Sequence, residues 1–360
     1  MAIAFFVVGL IFLVVGAEAL VRGASRLAAA VGISPLVVGL TVVAFGTSAP
    51  ELAVSVKSAL SDQASIAVGN VVGSNIFNVL FILGMSALII PLVVSSQLIR
   101  IDVPLMLALS VFVLLIALDG AFSRVDGIIL FAGLLVYITA LIFLSRKENA
   151  AIKQAFAQEY GMSPDAKTSW LKDTALIVVG LALLVTGSRW FVDSAVAFAQ
   201  YLGVSELIVG LTIVAAGTSM PEVVTSIIAA IRGERDIAVG NVVGSNIFNI
   251  MGVLGIASII APSGIAISPE FVRFDIPVMI LVALACVPIF FTGGTISRQE
   301  GIMLLAYYVA YTVYLILVAT NNQALSWFGP LMVYGAIPLT FVTLLILTIR
   351  ELRRKNSAAR

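Results

Sequence analysis

The chain has 360 residues, of which 61% are apolar and 11% charged. Soluble domains run at about 45–50% apolar and about 25% charged, so a water-soluble globule is excluded. Twenty Lys and Arg against nineteen Asp and Glu leave a net charge of +1, too balanced for a nucleic-acid binder working through a basic field. With no histidine and one cysteine, Cys286, the chain excludes His-ligated zinc, Ser-His catalysis, disulfide frameworks and thiolate clusters. What remains is an integral membrane protein whose chemistry rests on oxygen ligands.

A membrane-crossing helix needs about 20 mostly apolar residues. In chain order, eleven windows qualify: 2–21, 34–60, 66–90, 101–118, 125–144, 173–200, 205–231, 237–261, 274–292, 301–320 and 329–350. The first has no positive charge ahead of its apolar core, so it reads as a span rather than a secretory signal. The polar stretch 145–172 carries Arg146, Lys147, Lys153, Lys167 and Lys172 and reads as a cytoplasmic linker, with Glu148–Tyr160 as an interfacial helix. Lys and Arg concentrate on the cytoplasmic side. With the N-terminus outside, sixteen of the twenty cations lie inside; Lys57, Arg124 and Arg273 lie outside and Arg189 within a span. The expected organisation is a five-helix unit over 1–144, the linker 145–172, a second unit over 173–320, and an extra span with a basic cytoplasmic tail over 321–360.

The two units are copies. Residues 66–78 read IAVGNVVGSNIFN, and 237–249 repeat the same thirteen letters. Upstream, GLTVVAFGTSAPE (39–51) matches GLTIVAAGTSMPE (210–222) at the same offset of 171. Weaker echoes follow: RIDVP at Arg100 against RFDIP at Arg273, and SRVDGI at Ser123 against SRQEGI at Ser297. A unit of five spans is odd, so the second copy enters the membrane upside down. The cations agree: Arg22 and Arg26 follow span one but have no counterpart near Leu202, whereas Arg232 and Arg235 follow span seven where the first copy has Ser61 and Ala64. Inverted repeats of this kind mark secondary transporters, with substrate near the midplane where the copies meet.

Glu51 and Glu222 lie deep in apolar sequence, where a carboxylate costs several kcal/mol and marks an ion path. Each ends a Gly-Thr-Ser-x-Pro-Glu run holding Thr47, Ser48 and Pro50, or Thr218, Ser219 and Pro221. Proline removes a donor and clashes with the carbonyl four residues back, so the helix should break near Gly46 and Gly217 and free main-chain oxygens. In the next span Ser74 and Asn78 are four apart, as are Ser245 and Asn249, so each pair shares a helical face. Alone they would read as interhelical glue; beside two acids and broken backbone they read as further oxygen donors. Gly69, Gly73, Gly240 and Gly244 read as packing positions. Two carboxylates with hydroxyl, amide and carbonyl oxygens suit hard cations, Ca²⁺ or alkali ions, better than Mg²⁺. One Ca²⁺ neutralises two glutamates, and so do two monovalent ions, which is competition of the kind antiport requires.

At these residues the chain resembles the cation/Ca²⁺ exchanger superfamily, its prokaryotic Na⁺/Ca²⁺ exchanger branch in particular: GTSAPE and GTSMPE, each followed by GNVVGSNIFN, are similar to that family's two α-repeats. The resemblance covers about residues 1–320. It implies an all-α membrane fold with a ten-helix core of two inverted five-helix repeats, beyond which the eleventh span and basic tail, Phe328–Arg360, would serve as a dimer contact or a topological anchor. It implies a Na⁺/Ca²⁺ antiporter working by alternating access in a prokaryotic inner or plasma membrane, with Ca²⁺ and Na⁺ as cargo and no cofactor. It also implies cation ligands: the carbonyl of Ala44 with Thr47, Ser48, Glu51, Ser74 and Asn78, and the carbonyl of Ala215 with Thr218, Ser219, Glu222, Ser245 and Asn249. Glu51, Glu222, Thr47 and Thr218 would hold Ca²⁺ and the remaining oxygens Na⁺, while spans one and six would slide as a gate. Some exchangers of the branch carry aspartate where this chain has Asn249, which removes a titratable group there. A Ca²⁺/H⁺ antiporter is the alternative, a cation channel a weaker one, and an enzyme weaker still, since no activated nucleophile is visible. Asp102 and Asp275 read as span-start caps, and Glu18, Arg189 and Asp193 as interfacial or intrahelical charges.

Overall fold

The computed structural model describes residues 2–31, 33–61, 63–147, 170–202, 212–213 and 215–358. Most of the linker, with the expected interfacial helix Glu148–Tyr160, and much of the first half of the seventh span lie outside the described residues. Among the described residues nine helices are long and apolar enough to cross a membrane, and ten if a bent pair counts as one span. Span one is Ile3–Ala28, two is Pro35–Thr47 with Ala49–Leu60, three is Ser65–Ile89, four is Leu98–Ala117 and five is Arg124–Ser145. Span six is Trp170–Tyr201, eight is Arg235–Ile260, nine is Phe271–Phe291, ten is Arg298–Ala319 and eleven is Leu325–Arg353. The described part of span seven is the apolar helix Met220–Ile231, preceded by a turn at Ala215–Gly217. In hydrocarbon every backbone group must be satisfied within its own segment, which is why apolar runs of this length are helical.

Local sequence sets where spans begin. Ser297 and Glu300 form a reciprocal capping box at the start of span ten, satisfying two of the orphan donors at a helix N-terminus. Ser123 and Asp126 do the same for span five: the Ser123 N–H donates to Asp126 Oδ2 at 2.8 Å and the Asp126 N–H to Ser123 Oγ at 3.2 Å. The faint SRVDGI/SRQEGI echo is thus a shared helix start. Asp102 and Asp275 correct the expectation of caps. Spans four and nine open with π-helical turns, Leu98–Asp102 and Phe271–Asp275, and neither aspartate side chain caps its helix. Each instead accepts a tyrosine hydroxyl from the following span, Tyr137 on Asp102 at 2.8 Å and Tyr311 on Asp275 at 2.9 Å.

Two small strand pairs display the inversion directly. Leu92–Val93, between spans three and four, pairs antiparallel with Thr295–Ile296, between spans nine and ten. Ala121–Phe122, between spans four and five, pairs with Ile265–Ala266, between spans eight and nine. Each loop of the first unit therefore meets the non-equivalent loop of the second, which puts equivalent loops on opposite faces. Two copies inserted with the same orientation would place loops four–five and nine–ten together.

Spans three and eight form the centre: 72% and 83% of their apolar windows are buried in protein, against 28% for spans one and six. Gly240 and Gly244 let span eight lie against span two; a Cβ on Gly244 would sit 2.7 Å from the Leu40 Cα. Spans one and six pack along each other outside this centre, backbone against backbone, at Gly9, Gly16, Gly23, Gly180 and Gly187. Span eleven, with 6% of its window buried, lies at the periphery, where the Tyr307 hydroxyl donates to the Ala336 carbonyl at 3.0 Å.

Candidate cation site

Both Gly-Thr-Ser-x-Pro-Glu runs break their helix, over a shorter stretch than the sequence suggested. Ser48 leaves helical geometry (φ −80°, ψ 9°) and Ser219 does the same (φ −87°, ψ 9°). At Ser48 the axis of span two bends by 47°. Pro50 and Pro221 have no N–H for the carbonyls of Gly46 and Gly217. The Gly217 carbonyl accepts the Ser188 hydroxyl of span six at 2.8 Å instead. The Ala44 carbonyl accepts the Ser48 N–H at 3.0 Å, with the Thr47 hydroxyl at 3.4 Å. Ala215 lies in the short helical turn before Ser219. In spans three and eight the site asparagines each open a π-helical stretch, Asn78–Leu83 and Asn249–Leu254; such bulges occur often at functional positions.

These breaks bring the two motifs together. Ser48 Oγ donates to Glu222 Oε1 at 3.0 Å, and Ser219 Oγ donates to Glu51 Oε1 at 2.8 Å, so each carboxyl is held by the serine of the other copy. Ser219 Oγ also lies 3.2 Å from Ser74 Oγ. Thr47, Ser48, Glu51, Asn78, Ser219, Glu222, Ser245 and Asn249 are completely buried, and Ser74 nearly so; Thr218 is partly buried. The crossed serine contacts place both carboxyl groups at the same junction between the copies. Among the described residues neither meets an arginine or lysine; the ion pairs join Arg22 and Arg232 to Glu18, and Arg26 to Asp173. Glu51 Oε2, Glu222 Oε2, Asn78 Oδ1, Asn249 Oδ1 and Ser245 Oγ are buried with no hydrogen-bond donor among the described residues. Leaving such groups unmatched costs about 1–3 kcal/mol each, and a cation is the partner that would satisfy oxygens of this kind. No three of Asp, Glu, Cys and His converge among the described residues. The arrangement is therefore two charged oxygen donors among neutral ones.

Four asparagines that sequence reasoning did not single out complete the network. Asn70 Nδ2 donates to the Glu51 carbonyl at 3.0 Å and to Ser55 Oγ at 2.9 Å. Asn241 Nδ2 donates to the Glu222 carbonyl at 3.4 Å and to Ser226 Oγ at 2.9 Å. Their amide oxygens accept hydroxyls from the opposite copy, Thr218 on Asn70 at 3.5 Å and Thr47 on Asn241 at 3.1 Å. The spacing held a signal for this pair: Asn70 is one helical turn before Ser74, and Asn241 one before Ser245, on the face already chosen. Asn75 and Asn246 lie off that face and carried no such signal. Glu18 pairs within its own helix with Arg22, and also meets Arg232 from the end of span seven at 2.6 Å.

A buried pair of carboxylates without protein counter-charge, at the junction of two inverted helical repeats, defines a secondary cation transporter. The chain matches the sodium/calcium exchanger protein family over residues 1–143 and 172–317. It belongs to that family. Sodium/calcium exchanger MaX1 of Methanosarcina acetivorans is 34% identical over 310 residues, 76% of this chain and 87% of that protein. Inner membrane protein YrbG of Escherichia coli is 40% identical over 246 residues, 68% of this chain and 74% of that protein. A structure of the sodium-calcium exchanger NCX_Mj soaked with 10 mM Na⁺ and 10 mM Sr²⁺ superposes with a TM-score of 0.73 at 30% identity, covering 88% of this chain and 97% of that one. The fold is thus the ten-helix exchanger core of inverted repeats, with an eleventh helix added, and the chain is a multi-pass membrane antiporter rather than an enzyme.

Proposed function

We propose that the protein exchanges Na⁺ for Ca²⁺, binding both cargoes at the paired Glu51 and Glu222 by turns. The observation that carries this reading is the uncompensated carboxyl pair, each held through Oε1 by the other copy's serine with its Oε2 left over. Ionised, the pair holds a charge of −2. A single Ca²⁺, an ion that takes six to eight oxygens, neutralises it with the help of Thr47 and Thr218, while Ser48 and Ser219 belong to the oxygens left for Na⁺. Two Na⁺ neutralise it equally, and Ser74, Asn78, Ser245 and Asn249 offer neutral oxygens for Na⁺. Neutral amides and hydroxyls of this kind favour a metal cation over a proton as the counter-ion. The functional units are 1–144 and 173–320, joined by the linker 145–172, with 321–360 an addition to the transport core. Cation placement and the name of the Escherichia coli relative support an inner-membrane location with the N-terminus outside and linker and tail in the cytoplasm.

The test is Ca²⁺ uptake by proteoliposomes. Uptake should follow an outward Na⁺ gradient. Glu51→Gln or Glu222→Gln should reduce it more than about 100-fold, because removing one member of a buried charge set costs about 3–5 kcal/mol. Uptake indifferent to Na⁺ and driven by a pH gradient would replace this reading with Ca²⁺/H⁺ exchange, and flux without countertransport would make the protein a channel.

A further inference from the structure

Two asparagines interlock at the junction of the repeats. Asn75 Nδ2 donates to the Asn246 carbonyl at 3.2 Å, and Asn246 Nδ2 donates to the Asn75 carbonyl at 3.2 Å. Each also leans on a methionine sulfur from the other side of the molecule, Asn75 on Met279 at 3.7 Å and Asn246 on Met106 at 3.4 Å. Both side chains are 2% exposed. With their amide nitrogens committed, the orientation of each amide is fixed and its oxygen points one way. Asn246 Oδ1 accepts Asn78 Nδ2 at 3.0 Å, and Asn75 Oδ1 accepts Asn249 Nδ2 at 3.1 Å. Asn78 and Asn249 therefore keep their nitrogens turned away, and their oxygens are the atoms left without a donor.

We propose that Asn75 and Asn246 are positioning residues that set Na⁺ selectivity, each holding an asparagine of the opposite repeat so that its oxygen, and not its nitrogen, faces the cation. An amide has two faces of opposite sign: its oxygen attracts a cation and its NH₂ group repels one. A free Asn78 or Asn249 could present either. The clasp removes that choice, and because it is tied to main chain on both sides, it also locks spans three and eight at a common depth. The proposal rests on the Na⁺/Ca²⁺ reading above and deepens it. Ca²⁺ depends mainly on the glutamates, whose orientation Asn75 and Asn246 do not touch, so losing the clasp should weaken Na⁺ far more than Ca²⁺.

The experiment uses the full chain in proteoliposomes, with Ca²⁺/Ca²⁺ exchange and Na⁺-driven Ca²⁺ uptake measured side by side. Asn75→Leu and its repeat-related partner Asn246→Leu should each raise the Na⁺ half-saturation about tenfold, the equivalent of about 1.4 kcal/mol. Their Ca²⁺ half-saturation in Ca²⁺/Ca²⁺ exchange should move less than about threefold. Adding Asn249→Asp to Asn75→Leu should recover most of the Na⁺ affinity, because a carboxylate offers oxygen whichever way its plane turns. Equal shifts for the two ions, no shift, loss of Ca²⁺/Ca²⁺ exchange in both leucine variants, or no recovery on adding Asn249→Asp would each overturn the positioning role. Absence of Na⁺-driven uptake in the unmodified protein would instead overturn the Na⁺/Ca²⁺ reading itself.

Discussion

Spans one and six meet without side chains between them at several points, and Gly16→Ala tests that contact. A Cβ on Gly16 would lie 2.8 Å from the Gly180 carbonyl oxygen, 2.9 Å from the Leu184 nitrogen and 3.0 Å from the Leu183 Cβ, whereas ordinary contacts lie at 3.4–4 Å. Two of these neighbours are main-chain atoms of a 32-residue helix, which cannot swing aside as a side-chain tip would. The helices must part by about half an ångström, and overpacking of this sort costs about 1–3 kcal/mol. At about 2–4 °C per kcal/mol, the apparent melting temperature in detergent should fall by roughly 2–12 °C. The contact is reciprocal, since a Cβ on Gly180 would lie 2.8 Å from the Gly16 oxygen. Once the helices have parted for one methyl, the second costs less. The double variant Gly16→Ala/Gly180→Ala should therefore lose less than the sum of the single losses, as expected for residues sharing one contact. Gly329→Ala is the control, because its Cβ meets nothing within 4 Å and should leave melting unchanged or slightly raised. If Gly16→Ala melts with the unmodified protein, or if the two losses add, the backbone-to-backbone packing of these spans is wrong.

Two further perturbations read other parts of the molecule. Ser188→Ala removes the donor to the Gly217 carbonyl and should destabilise by about 1–3 kcal/mol in the same melting assay. Ser194→Ala, whose hydroxyl only bonds back to its own helix at the Trp190 carbonyl, should change little. Glu18→Gln removes the acid shared by Arg22 and Arg232, but both arginines are about half exposed, at 53% and 52%. The loss should stay below about 1 kcal/mol and fade as salt rises toward about 1 M; a loss that persists there would mean that Glu18 acts through something other than charge.

The large features were legible because each rests on a pattern of types. Apolar runs gave the spans, the 171-residue offset gave the duplication, and an odd span count gave the inversion that the strand pairs then displayed. The paired glutamates stood out because acids are rare at that depth. Details that depend on who meets whom were not legible. Asp102 and Asp275 have the spacing of caps, and only the fold shows Tyr137 and Tyr311 arriving to bind them. Asn75 and Asn246 sit off the face chosen by the Ser74–Asn78 spacing, and their importance comes from each other's main chain, 171 residues away in sequence. Arg232 reaches Glu18 only because the end of span seven meets span one.

The least legible feature is the difference between two identical stretches. Residues 66–78 and 237–249 have the same thirteen letters, yet Ser74 Oγ lies 3.2 Å from Ser219 Oγ while Ser245 Oγ has no partner among the described residues. Identical sequence in different surroundings means that the asymmetry comes from what packs against each copy. Part of that is a difference in sequence: the Ser188 hydroxyl donates to the Gly217 carbonyl in the second copy, and its counterpart in the first is Ala17, which has no hydroxyl to give. Part is conformational, since Ser48 and Ser219 are equivalent and yet only Ser219 reaches across to a serine of the neighbouring span. An inverted-repeat transporter with both copies in one conformation would present the same path to both sides of the membrane. Alternating access requires the copies to differ at any instant and to exchange their roles. A hydroxyl engaged in one copy and idle in its twin is an asymmetry that such an exchange, if this chain works by alternating access, would reverse in the other state.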